Sequence, residues 1–310
     1  MKHSGGLNRR GFLSAAPGAL LAMGAGSIGI ARAIDPLVRT GKAKLKLGVA
    51  AYGVRSLLDL KAKKKPEWDL FQFATKAAEW GFKSVEPTSY YFSESGPDYL
   101  DRFREHCSKL GLEISGSAVG NNFCLADEAA RKTQIDQVVD WAAKTARMGG
   151  KTLRIFAGNT AKGEKDEAAA ARCIEAIKEA CKRSEKSGVI LALENHGGIT
   201  STADQLLKLV RGVDHPLFAV NLDTGNFRTE DPYADMAKFA PYAAVVQVKT
   251  EVQRKGKAKV PADFGRILDL LAAANFQGYF VLEYEAAEDP LTAIPREGKK
   301  LAAMIKERGL

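Results

Sequence analysis

Short apolar runs rich in Val, Ile and Leu alternate along this chain with longer stretches in which apolar residues recur every three or four positions. The short runs read as strands over residues 45–51, 84–87, 113–118, 152–156, 189–193, 218–222, 244–248 and 279–284. The longer stretches read as amphipathic helices over 70–80, 97–110, 128–148, 165–187, 202–210, 233–239 and 264–274, with a last one ending near Arg308. Gly81, Gly111, Gly149 and Gly188 stand where four of these helices should stop. Strands that are apolar on both faces, each followed by a helix, predict an α/β fold with a parallel sheet under a layer of helices. Closing eight such strands gives a (β/α)8 TIM barrel, the simplest arrangement. An open doubly wound sheet would show the same alternation, but no Gly-x-Gly-x-x-Gly follows the first strand to support a dinucleotide-binding version.

The first 33 residues stand apart from this pattern. Asn8-Arg9-Arg10-Gly11-Phe12-Leu13 is a twin-arginine pattern, residues 15–30 are apolar but rich in Ala and Gly, and Ala31-Arg32-Ala33 offers small residues at a cleavage point. The expectation is a signal peptide over 1–33 that sends a folded chain to the periplasm, a linker over 34–44 and a barrel over 45–310. An uncleaved anchor is the alternative, although the stretch is shorter and less apolar than the ~20 residues of a membrane span. Removing the signal's four basic residues leaves 42 basic against 37 acidic, so the net charge falls from +9 to about +5. Those charges are spread along the chain, which excludes the one-sided basic face of a nucleic-acid binder. The basic run over 61–65 reads as a solvated loop. Cys107, Cys124, Cys173 and Cys181 show no metal or Cys-x-x-Cys spacing and are expected as buried free thiols. Cys173 and Cys181 share a predicted helix about 12 Å apart along its axis, beyond disulfide reach.

In a barrel the chemistry gathers at the C-terminal ends of the strands. Residues 189–193 run into Glu194-Asn195-His196, and 218–222 into Asp223-Thr224-Gly225-Asn226. The run at 244–248 holds Gln247 and leads to Lys249 and Glu251, and 279–282 leads to Glu283-Tyr284-Glu285. One carboxylate at a strand end also serves as a helix cap. Three at matching ends converge, and unless neutralised they raise one another's pKa. A divalent cation is the usual remedy. Glu194, Asp223, Glu283 and the amide oxygen of Gln247 make an all-oxygen set that favours Mn2+ or Mg2+ over ions preferring nitrogen and sulfur.

The segments Leu193-Glu194, Asp223-Thr224-Gly225, Val246-Gln247-Val248-Lys249 and Leu282-Glu283 resemble the metal-site strands of the xylose-isomerase-like barrel family, which includes sugar phosphate isomerase/epimerases and ketose 3-epimerases. The resemblance runs in order through the chain after the signal. It implies metal ligation by Glu194, Asp223 and Glu283, with Gln247, and also Asn226, where the family usually has histidine. It also implies a carbohydrate isomerase or epimerase working through an enediolate, with Glu194 and Glu283 exchanging the proton, and with Co2+ or Zn2+ as alternative metals. Substrate contacts are expected from Glu86, Arg154, His196, Asn226 and Lys249, with Tyr52, Asn121, Asn122 and Glu251 nearby; Glu86 and Lys249 read equally well as an internal ion pair. His106 and His215 receive no role, and Tyr90-Tyr91-Phe92 and Trp68 read as packing.

Two variants stay open: a lyase for 3-keto-glycosides using the same proton abstraction, and a non-catalytic sugar-binding barrel. DNA repair on the same barrel would need a cluster of histidines around three zinc ions, and only three histidines follow the signal. The expected partner is a small carbohydrate, with no nucleic acid and no membrane beyond the export signal; a homo-oligomer is compatible with all of these readings.

Overall fold

The computed structural model describes residues 36–61 and 65–310. The expected signal peptide over 1–33 and the middle of the basic run lie outside the described residues.

The strands form where the apolar runs place them: β1 Lys44–Ala50, β2 Ser84–Glu86, β3 Glu113–Ile114, β4 Gly116–Ala118, β5 Thr152–Ile155, β6 Ile190–Glu194, β7 Phe218–Asp223 and β8 Ala243–Val248. A short hairpin follows, β9 Glu251–Gln253 and β10 Lys259–Pro261, and then β11 Gln277–Leu282. The nine segments other than the hairpin make one sheet in the order β3-β2-β1-β11-β8-β7-β6-β5-β4, every pair parallel. Its two ends, β3 and β4, are halves of one predicted strand interrupted at Ser115. The sheet therefore closes on itself as the eight-stranded barrel expected from the alternation.

The main helices are α2 Leu70–Glu79, α3 Pro97–Lys109, α4 Glu128–Met148, α5 Asp166–Arg183, α6 Ala203–Val213, α7 Pro232–Phe239, α8 Phe264–Ala273 and α9 Pro290–Arg308, with a single turn α1 at Arg55–Leu58. Their ends follow local chemistry. The Asp69 carboxylate accepts from Gln72 N at 2.8 Å while the Gln72 side chain accepts from Asp69 N, and Thr202 with Gln205 repeats this capping box on α6. Gly149 ends α4 in the left-handed region at φ 90°, a conformation that costs glycine little. Among the described residues no helix is long and apolar enough to cross a membrane.

Two cores hold the barrel. The larger lies between sheet and helices and buries Phe73, Phe103, Phe218, Phe239 and Phe280 completely; each such side chain contributes on the order of 2–3 kcal/mol of burial. The smaller lies inside the barrel and consists of Ala50, Ala192, Val245 and Val281. These four set the parity that positions the site, because residues two apart on a strand share a face. Above Ala192 comes Glu194, above Val245 come Gln247 and Lys249, and above Val281 comes Glu283. On β8 that parity depends on an irregularity. Val220 pairs with Ala243 but Asn221 pairs with Val245, so one residue is skipped. Ala243 faces the outer core and Val245 the lumen. The bulge turns Gln247 and Lys249 inward.

Candidate active site

At the C-terminal mouth the structure brings together Glu86, Arg154, Glu194, Asp223, Gln247, Lys249 and Glu283, all buried. Glu194 is held from two sides. Its Oε2 lies 3.1 Å from Arg154 Nε, and Asn226 Nδ2 donates to its Oε1 at 3.0 Å. Arg154 also donates to the Val119 carbonyl at 3.0 Å and lies 3.9 Å from the Phe156 ring centroid, and the His196 ring packs on the other partner, Phe156, at 4.5 Å. The tight, dry pairing with Glu194 keeps the guanidinium charged and its pKa raised, although burial alone works the other way.

Lys249 faces the other acids. Its ammonium pairs with Glu283 and Glu285 and lies 3.3 Å from Asp223 Oδ2. Burial opposes its charge, yet Asp223 and Glu283 outweigh burial and lift its pKa well above the usual lysine value. Gly225 makes room for it: a Cβ there would lie 2.6 Å from Lys249 Cγ. Asp223 is braced by its backbone, its N–H donating to Asn195 Oδ1 at 2.8 Å and its carbonyl accepting from Asn195 Nδ2 at 2.9 Å. Gly225 N donates to Asp223 Oδ1 at 2.8 Å, while Oδ2 has no hydrogen-bond donor. Burial pushes the Asp223 carboxyl up to about 7 despite Lys249. Gln247 bridges two neighbours: its Oε1 accepts from Asn221 Nδ2 at 2.8 Å and its Nε2 donates to Glu86 Oε1 at 2.7 Å. Burial, reinforced by Glu283, raises Glu86 to about 7.

A family profile described as xylose isomerase-like TIM barrel matches residues 74–307, most of the chain. The chain belongs to that family. The resemblance carried by the strand-end acids thus holds, and solved members share the fold. A D-psicose 3-epimerase structure superposes with a TM-score of 0.68 at 16% identity, covering 84% of this chain and 97% of that one. The 3-keto-D-glucoside 4-epimerase from E. coli gives 0.64 at 16% identity over 84% and 100%. Among curated proteins, inosose dehydratase of Bacillus anthracis is 27% identical over 152 residues, 41% of this chain. The match spans only 50% of that relative's length.

The xylose isomerase-like barrel accounts for where the sequence-derived residues fall. Glu86, Arg154, Glu194, His196, Asp223, Asn226, Gln247, Lys249 and Glu283 all lie at the mouth, but they form two groups. Glu194 sits with Arg154 and Asn226, while Asp223 and Glu283 sit with Lys249. Among the described residues no three His, Cys, Asp or Glu side chains are arranged to grip one ion; Lys249 stands among the acids. The supporting residues each have a partner within the protein. Asn121 donates to and accepts from the Phe156 backbone, Asn122 accepts from Cys124 N, Tyr52 packs under Arg55, and Glu251 pairs with Lys259 across the hairpin. His106 bonds Thr75 and Phe71, and His215 accepts from Leu217 N, while all four cysteines are buried and free. Sequence reasoning gave no role to Glu285 or Asn221. An asparagine inside the apolar run over 218–222 was the available signal for Asn221, since a buried amide in a strand needs a partner.

Proposed function

We propose that the chain is a carbohydrate isomerase or epimerase that moves a proton at a carbon next to a carbonyl through an enediolate, with a divalent metal. One observation carries this reading: two buried carboxylates at the mouth, Glu194 and Glu283, are each oriented by a different cation, Arg154 and Lys249. They stand on β6 and just after β11, strands separated by β7 and β8, so they approach a bound sugar from different sides. One can accept the proton and the other can return it. The guanidinium of Arg154 and the ammonium of Lys249 are placed to stabilise negative charge on the enediolate oxygens in a water-poor site. Phe156, in contact with both Arg154 and His196, adds apolar surface near the carboxylates for the C–H side of a sugar ring.

The donor chemistry fits a hard dication. The mouth gathers five acids, Glu86, Glu194, Asp223, Glu283 and Glu285, against two cations, and Asp223 Oδ2 is buried without a donor. Glu194, Asp223 and Glu283, with the Gln247 amide oxygen, would hold Mn2+ or Mg2+, with Co2+ or Zn2+ as alternatives, once Lys249 turns away. The bound ion would supply Lewis-acid polarisation of the carbonyl. The test is deuterium uptake from D2O by free ketoses with and without added metal. Stereochemical exchange with Mn2+ or Mg2+ supports the reading, and no exchange on any ketose with any of the four metals sinks it.

A lyase is the second reading, favoured by the open cavity beside Asn226, which has room for a leaving group. The similarity to an inosose dehydratase and to a 3-keto-glucoside epimerase supports chemistry at that kind of carbon. Release of aglycone from 3-keto-glycosides, with no exchange on free ketoses, would replace the epimerase reading. The twin-arginine pattern supports export to the periplasm. Changing Arg9 and Arg10 to lysine should then retain the chain in the cytoplasm on cell fractionation.

A further inference from the structure

Next to the carboxylates lies a cavity of about 580 Å³ lined in part by Ser201, Thr202, Asn226, Arg228, Glu230 and Lys255. That size falls in the ~300–1,000 Å³ range of small-molecule sites. Its cations come from separate parts of the chain. Arg228 follows β7, and Lys255 sits in the turn of the β9–β10 hairpin. The hairpin is fixed over the β7 loop: Lys255 N donates to the Thr229 carbonyl at 2.9 Å, and Arg254 Nη1 to the Glu230 carbonyl at 3.1 Å. Arg254 is thereby committed to the backbone. Arg228 and Lys255 are not: among the described residues neither has a carboxylate within ion-pair distance, although Glu230 lines the same cavity. Two unpaired cations with hydroxyls around them match an acceptor-rich anion.

The position relative to the acids sharpens this. A smaller recess over Lys249 and Glu285 shares Asn226 and Arg228 with the cavity, and Asn226 donates to Glu194 at 3.0 Å. A ligand with its reacting carbons at Glu194 thus reaches the cavity past one side chain. Among the five acids an anionic substituent would meet like charges that Arg154 and Lys249 offset only in part. The neighbouring cations supply the place for it.

We infer that this cavity is a subsite for an anionic substituent of the substrate, a carboxylate or a phosphate, bound by Arg228 and Lys255. The inference rests on the mouth being a sugar site, and it holds for either the epimerase or the lyase. The full chain is tested by calorimetric titration with D-fructose, D-fructose 6-phosphate and D-fructuronate at low ionic strength. At least one anionic probe should bind about tenfold more tightly than D-fructose, an advantage that shrinks with added salt. The tighter of the two identifies phosphate or carboxylate as the group. The double variant Arg228→Ala/Lys255→Ala should abolish the advantage while leaving D-fructose binding and the melting temperature unchanged, both residues being exposed. Equal or absent binding of the three probes, or an advantage that survives in the double variant, overturns the inference. Deuterium exchange in the same samples separates the two readings. Tight anionic binding without exchange removes the proposed reaction and keeps the subsite. Exchange on D-fructose with no gain from the anion removes the subsite alone.

Discussion

The ammonium of Lys249 lies 3.3 Å from Asp223 Oδ2, the one oxygen of that buried carboxylate to which nothing donates a hydrogen bond. A lysine thus occupies the centre of an acid cluster whose donor chemistry suits a dication. If both cations compete for the same acids, removing the lysine should expose the other's effect. Lys249→Met leaves Asp223 and Glu283 without their counter-charge and should cost about 3–5 kcal/mol in chelator. Added Mn2+ should restore more melting temperature to this variant than it gives the wild type. Thermal melts of both proteins with chelator and with Mn2+ decide it, and equal shifts would show that no ion competes with Lys249.

Gln247 bonds Asn221 and Glu86 at 2.8 and 2.7 Å. Both partners are buried, so Gln247→Leu strands a donor and a carboxyl, with an expected loss of about 2–4 kcal/mol. The double variant Asn221→Leu/Gln247→Leu should be less destabilised than the sum of the single variants, because the stranded amide goes too. Chemical denaturation of the four proteins measures that coupling; strict additivity would mean the amide pair contributes nothing of its own.

Most of the barrel was legible because eight buried strands need eight apolar runs, and the observed strand ends fall within about two residues of those runs. The site acids were legible for the same reason: each breaks an apolar run at its C-terminal end. Three features were hidden. The break at Ser115 and the bulge opposite Asn221 are matters of pairing between strands; no single strand's pattern contains them. The hairpin after β8 is short and polar, with Val252 its only buried residue, so it has no periodic apolar signal. The charge balance was the deeper omission. Convergence of Glu194, Asp223 and Glu283 was inferred with a metal as the usual remedy, and the residue pattern left open how far Arg154 and Lys249, which enter from neighbouring strands, neutralise the charge themselves.

Gly225 should tolerate no side chain. An added Cβ would lie 2.6 Å from Lys249 Cγ and 2.9 Å from its Cβ, atoms anchored close to the backbone. Gly225→Ala should therefore displace the ammonium from Asp223 and Glu283 and lower turnover of whichever sugar is accepted, by about tenfold or more. Stability should fall by about 1–3 kcal/mol. Steady-state kinetics beside a denaturation curve separate the two; a fully active variant would mean the placement of Lys249 is immaterial to the reaction.

Glu86 gives the pH dependence a definite sign. Burial, aided by Glu283, raises its carboxyl from 4.5 to about 7 in the fold. Between those values the folded protein holds a proton that the unfolded chain has released, so this group's contribution makes stability fall as pH rises from about 4.5 to 7. The loss levels off above 7, and its full size is on the order of 3 kcal/mol. Glu86→Gln keeps an uncharged group in place and should remove this component. In chelator, the melting temperature of the variant should decline less than that of the wild type between pH 5 and 8. Parallel slopes for the two proteins would show that Glu86 is ionised in the fold throughout that range, with Gln247 and the nearby cations compensating its charge.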